Sequence, residues 1–322
     1  MFERILVPLD GSGFGETALP RAIQLAEWWD ASLELATVAN PEVPGGEPGP
    51  PPDVGDDFLD VARQHAREYL TNVEERIRSG GFAGGLAHAV IPSGNIAHSL
   101  ARHVHERDCD LAVMTTHGRG PIQRAWLGSA ADAFIRRSPV PVLLIRPRDE
   151  GVGEDGDRPD EASGRPDLTR RPALFRRLLI PLDGSEEAER MLETAAPLIS
   201  GEAEGECILL RVVAPFMPGG SPYLPHVVRE VESQALVKKA AWDYLDGVTD
   251  RAPGSRVEGK VVTDAQAAAA ILKVAEEEEA DVIAMATAGR GGVGRLLLGS
   301  VADKVVRGAE LPVLVHRETD EG

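Results

Sequence analysis

Ile5-Leu6-Val7-Pro8-Leu9-Asp10-Gly11-Ser12 returns later in the chain as Leu178-Leu179-Ile180-Pro181-Leu182-Asp183-Gly184-Ser185. Each copy is a short apolar run of the kind that forms a strand buried on both faces, closed by the turn-forming residues Asp-Gly-Ser. Further blocks repeat outward from this one. Asp110-Leu-Ala-Val-Met-Thr-Thr-His-Gly-Arg-Gly120 returns as Asp281-Val-Ile-Ala-Met-Ala-Thr-Ala-Gly-Arg-Gly291. Leu127–Asp132 returns as Leu298–Asp303, and Pro141–Ile145 as Pro312–His316. The offset is 183 − 10 = 173 at the first block, then 285 − 114 = 171 and 312 − 141 = 171. Near-constant spacing over so long a period marks a duplicated domain rather than a solenoid.

Within the first copy, strand-type and helix-type runs alternate. Strands are expected at 5–9, 33–39, 88–91, 111–114 and 140–145, and helices at 16–28, 58–77, 96–105 and 129–137. The second copy gives the same series. Such alternation predicts an α/β protein of two tandem, doubly wound (Rossmann-like), five-stranded parallel-sheet domains. The domains are expected at 1–147 and 174–317. Between them, 148–173 is rich in Gly, Pro and charge, the composition of a flexible linker. A second such stretch, Asn40 to Asp57, reads as a mobile loop inside the first domain.

With 322 residues, 43% of them hydrophobic and 27% charged, the chain has the composition of a soluble globular protein. The 52 acidic and 34 basic residues leave a formal charge of −18, which argues against a nucleic-acid partner. The amino terminus reads as a strand rather than a signal peptide, and no apolar stretch is long enough for membrane insertion. The cytoplasm is the compartment expected by default. Cys109 and Cys207 offer neither a disulfide framework nor metal-ligand spacing, and the histidines recur at no matching positions, so no metal site is expected.

Gly118 is followed by nine residues and then Gly128-Ser129; Gly289 is followed by nine and then Gly299-Ser300. Glycines let a loop turn its backbone N–H groups toward an anion, and the following helix start adds unpaired donors and partial positive charge. Together with the Asp-Gly-Ser turns, these loops make the chain resemble the universal stress protein family in its tandem form and ATP-binding subgroup. That subgroup's motif is Gly, two residues, Gly, nine residues, then Gly-Ser or Gly-Thr; Thr115 and Ala286 stand where its first glycine would be. The resemblance implies that Asp10 and Asp183 accept a hydrogen bond from the adenine amino group. It implies that Pro8, Val38, Pro181 and Val212 shape the base pocket and that Met114 and Met285 flank the ribose. Gly118, Gly128, Ser129 and Ala130, with Gly289, Gly299, Ser300 and Val301, would bind phosphates. Arg119 and Arg290 recur beside the loops and would neutralise phosphate charge.

Other readings compete residue by residue. Ser129-x-x-Asp132 and Ser300-x-x-Asp303 fit a helix capping box, and Asp10 and Asp183 fit Asx turns. His117 is matched by Ala288, so a function common to both copies does not depend on it. No Walker-type lysine, Ser-His-Asp constellation or paired metal-holding carboxylates accompany the loops, which ranks a regulator above a hydrolase. The expected function is therefore an ATP-binding stress-response regulator, taking ATP with or without Mg2+, alongside a protein partner that the sequence does not identify. A nucleotide-independent scaffold and a slow ATP hydrolase are the alternatives. By the same resemblance, the last strands of the two domains pair within the chain as a pseudo-dimer; a further homodimer of whole chains is compatible with the sequence but not readable in it. The mismatches Thr115/Ala286 and His117/Ala288 lead us to expect two sites of unequal affinity.

Overall fold

The computed structural model describes residues 1–39, 56–92, 94–116, 127–146, 165–199, 205–215, 227–287 and 298–317, without the side chains of 56–58 and 227–233. Residues 40–55 of the mobile loop expected at 40–57 and most of the expected linker lie outside the described residues, while Asp56 and Asp57 already belong to the helix that follows. Contacts divide the chain into two compact units, Met1–Leu174 with Glu310–Gly322, and Phe175–Ala309.

The first repeat runs β1 (Arg4–Pro8), α1 (Gly13–Glu16), α2 (Leu19–Trp29), β2 (Ser32–Val38), α3 (Asp56–Ser79), β3 (Leu86–Ile91), α4 (Ile96–Glu106), β4 (Leu111–Thr115), α5 (Ser129–Ile135) and β5 (Val142–Ile145). The second runs β6 (Arg177–Pro181), α6 (Glu186–Ala195), a 3-10 turn (Ala196–Leu198), β7 (Glu206–Val213), α7 (Val227–Thr249), β8 (Arg256–Thr263), α8 (Ala267–Glu277), β9 (Val282–Ala286), α9 (Ser300–Gly308) and β10 (Val313–His316). The helix expected at 16–28 is broken in two, because Pro20 lacks the N–H that would continue the ladder from α1 and instead starts α2.

In the first unit the strand order is β3-β2-β1-β4-β5, all parallel, followed by β10. β10 runs antiparallel to β5, with Val313 opposite Leu144 and Val315 opposite Val142. In the second unit the order is β9-β6-β7-β8, again parallel. The chain lays β1, β2 and β3 in one direction and then crosses back to place β4 on the other side of β1; β9 stands in the same relation to β6. The order thus reverses between β1 and β4 and between β6 and β9, and in open α/β sheets the place beyond the carboxyl ends of strands at such a reversal is where ligands are held.

Repeated aspartates hold these junctions from the opposite end. Asp110 accepts the amides of Glu3 (2.6 Å) and Arg4 (3.0 Å). Asp281 accepts those of Arg176 and Arg177, both at 2.8 Å. Each carboxylate thus takes up N–H groups at the start of one central strand from a position just ahead of its neighbour. The centre of β1, Ile5, Leu6 and Val7, has no exposure at all.

The cores of the two repeats differ at one place. In the first, Glu34 on β2 is 2% exposed and accepts from His103 Nε2 (2.9 Å) and from Nε and Nη2 of Arg107 (3.2 Å each). Glu34 lies opposite Leu6, and Ile208 lies opposite Leu179 at the matching register position of the second repeat. The matching position to His103 on the equally long α8 is Val274. Burial raises the Glu34 pKa, but the hydrogen bonds and charges of His103 and Arg107 outweigh it and hold the carboxyl below its ordinary value. A depressed carboxyl gives stability that is present above its unfolded pKa and lost as pH falls through the folded one. Glu34→Ala is therefore expected to cost about 3–5 kcal/mol in denaturant unfolding at pH 7, since it strands a buried partner. That cost should shrink once the pH falls below the ordinary carboxyl range. Restoring the second repeat's pair, Glu34→Ile with His103→Val, should recover most of the loss.

Candidate functional site

The described candidate residues sit at or near the carboxyl ends of β1, β2 and β4 in the first repeat and of β6, β7 and β9 in the second. After β1, Gly11 takes a left-handed φ of 82°, and after β6, Gly184 takes 80°, a conformation that favours glycine. Asp10 Oδ1 accepts from the Ser12 amide (2.9 Å) and hydroxyl (2.6 Å), and Asp183 Oδ1 accepts from the Ser185 amide (2.9 Å) and hydroxyl (2.5 Å). The serine oxygens then cap the next helices, accepting from Gly15 N–H at 3.0 Å and Ala188 N–H at 3.3 Å. The Asx-turn geometry is thus present in both repeats. It uses one carboxylate oxygen, and Asp10 Oδ2 makes no hydrogen bond to the described residues.

The turns are not identical. A Cβ added to Gly15 would lie 2.4 Å from Asp10 Oδ1, whereas the second repeat carries Ala188 at that place. Pro8 and Pro181 end β1 and β6. Val38 ends β2, Val212 lies at the matching position of β7, and both are half-buried. Arg211, beside Val212, donates to the Leu182 carbonyl (2.8 Å) and lies 5.7 Å from the Tyr244 ring centre; the first repeat has Thr37 at that position. Met114 and Met285 are 7% and 6% exposed on β4 and β9, with Thr115 and Ala286 ending those strands.

Gly118, Arg119, Gly289 and Arg290 lie outside the described residues, but the ends of both loops are visible. Gly128 N–H donates to the Thr116 carbonyl (2.8 Å), and Gly299 N–H to the Thr287 carbonyl (2.7 Å), so each loop is drawn shut at its base. The helix that follows corrects one reading. Gly128 and Gly299, not the serines, are the N-cap residues, and neither helix has a side-chain cap. Asp132 and Asp303 turn instead to Arg136 (2.8 Å) and Arg307 (2.9 Å), one turn further on. Ser129, Ala130, Ser300 and Val301 accordingly stand in first turns that receive no side-chain cap from their N-cap glycines.

The structure adds a constellation present in both repeats. Glu16 and Arg76 form an ion pair beneath the first turn, and Tyr69 lies beside Glu16. Glu189, Arg251 and Tyr244 repeat the arrangement. The signal was in the sequence: 244 − 69 = 175 and 251 − 76 = 175, a Tyr-x6-Arg spacing that starts on α3 and α7 and in the second repeat ends two residues beyond α7, with 189 − 16 = 173 for the glutamates on α1 and α6. Both tyrosine hydroxyls are buried without a hydrogen-bond partner among the described residues. Burial and the neighbouring Glu189 carboxylate push the Tyr244 phenol up to about 12, and burial with Glu16 pushes Tyr69 higher still. Raised phenol values mean stability that is complete below the unfolded tyrosine pKa and lost as pH climbs through the folded one. Absorbance titration should show Tyr244 ionising only at about pH 12 and Tyr69 well above the ordinary tyrosine range. Tyr69→Phe and Tyr244→Phe should each remove one such step and flatten the alkaline loss of stability.

Among the described residues no helix is long and apolar enough to cross a membrane. The sequence model of the universal stress protein family matches residues 1–146 and 174–317. A universal stress protein of Mycobacterium tuberculosis is 28% identical over 215 residues, a match that covers 66% of this chain and 63% of that relative's length. A second from that organism is 24% identical over 318 residues, covering 98% of this chain and 96% of the relative. The crystal structure of a universal stress protein from Archaeoglobus fulgidus superposes with a TM-score of 0.61 at 20% identity, over 99% of this chain and 97% of that one. The chain belongs to the universal stress protein family, with the family's fold present twice.

Proposed function

We propose that the protein binds ATP at the carboxyl-end crevice of each repeat and acts as a nucleotide-dependent stress-response regulator. The observation that carries this reading is the pair of uncapped Gly-Ser helix starts, each at the closed base of a glycine loop and each beyond the strand where the order reverses. Free first-turn N–H groups and the helix dipole suit phosphate oxygens. In this reading Asp10 and Asp183 accept the adenine amino group, the Pro and Val residues wall the base, and Met114 and Met285 border the ribose. Gly118, Arg119, Gly128, Ser129 and Ala130, with Gly289, Arg290, Gly299, Ser300 and Val301, take the phosphates, with Mg2+ as a companion of the nucleotide. The domains remain 1–147 and 174–317. The β5–β10 pairing supports an intramolecular pseudo-dimer through the last strands.

Mass spectrometry of ligand released from freshly purified protein is expected to show an adenine nucleotide. Calorimetric titration with ATP and Mg2+ should give two unequal sites, because Gly15/Ala188 and Thr37/Arg211 make the two pockets different. Gly128→Arg and Gly299→Arg should each abolish one site and leave the other. A folded protein that takes up no adenine nucleotide would instead establish a nucleotide-independent scaffold.

A further inference from the structure

Residues 165–174 follow a composition that offers little to bury, yet they are fastened to the first repeat along their whole length. Arg165 Nε lies 3.4 Å from Glu16 Oε1, a carboxylate with no exposure. Arg76, the other cation on Glu16, also donates to the Pro166 carbonyl at 3.2 Å. Leu168 is 4% exposed, and its carbonyl lies 2.5 Å from where a Cβ on Gly80 would be, so the approach requires a glycine. Arg171 grips Glu27 through Nε and Nη2, both at 2.7 Å, and reaches the Gly80 carbonyl at 3.3 Å. Arg21, 6% exposed, donates to the Ala173 carbonyl at 2.6 Å.

Among the described residues the second repeat has no counterpart of Arg165. Glu189 has Arg251 as its ion-pair partner among the described residues, while Glu16 has both Arg76 and Arg165. Glu16 closes α1, the single turn begun by Ser12, and Ser12 holds Asp10 Oδ1. Gly15, the neighbour of Glu16, abuts that same oxygen. The segment therefore pulls on the far end of the turn that sets the Asp10 carboxylate.

We propose that residues 165–174 are a clasp whose closure on α1, α2 and α3 is thermodynamically linked to occupation of the first repeat's nucleotide site. The linkage rests on the reading of Asp10 as a ligand group. Closure fixes Asp10 for the ligand, and by reciprocity the ligand tightens the clasp. The second site has no such control.

The test uses the full chain carrying Gly299→Arg, which leaves the first site to be read alone. Adding Arg165→Ala and Arg171→Ala is expected to speed amide hydrogen exchange in 165–174 and to weaken ATP binding by about tenfold. ATP added without those two changes should slow the same amides. Should the arginine changes leave exchange unaltered, Leu168→Asp expels the buried anchor and is read in the same way. A clasp shown open with ATP affinity unchanged, or amides indifferent to bound ATP, would overturn the linkage while leaving the nucleotide reading intact. Failure of the unmodified protein to bind ATP would instead sink the nucleotide reading, and the linkage with it.

Discussion

Asp110 and Asp281 are the groups on which the remaining geometry depends. Each carboxylate draws two backbone amides onto one side chain across more than a hundred residues of sequence, the separation between Asp110 and Glu3 being 107. That contact fixes which strand lies beside the first, and so where the order of the sheet turns back on itself. Once β4 is held against β1, the Asp-Gly-Ser turn and the Gly-Ser helix start must emerge at one rim. The placement of the candidate site follows from a clamp at the opposite end of the strands.

Much of this was legible in the sequence because the features are local and periodic. Apolar runs gave the strands, Gly11 and Gly184 marked turns that demand left-handed backbone, and the constant offset revealed the duplication. The break between α1 and α2 was hidden by the helical spacing of 16–28, although Pro20, with no N–H to continue the ladder, stands at its origin. The Glu16–Tyr69–Arg76 group was harder, because its members lie on different helices and each alone looks like an ordinary surface residue. The capping box misled for a related reason: Ser129 and Asp132 have the right spacing, but Gly128 takes the cap position and Arg136 takes the aspartate. Residues 165–174 read as linker because composition measures the average and not the few anchors. One leucine, four arginines and a facing glycine dock the segment.

Duplication gave the chain an internal comparison, and the differences fall into a pattern. The first repeat holds charge inside, with Glu34 against His103 and Arg107 and with Glu16 between two guanidiniums. The second replaces the inner pair with Ile208 and Val274 and carries its extra cation, Arg211, near the crevice instead. Buried ion groups are costly to strand and add little when complete. The first repeat is therefore the one whose packing responds to changes in its charged partners, while the second is the more conventional apolar core.

β8 completes its unit's strand order on the side away from β9 and carries Arg256, Glu258 and Lys260 at every second position. These side chains are tied to neighbours, Arg256 to Glu206 at 3.0 Å and Lys260 to Glu258 at 3.5 Å. A strand with open backbone donors invites another chain to add itself, and alternating charge along such a strand discourages that addition. Alternating charge at this position therefore disfavours the addition of a further strand to the parallel sheet.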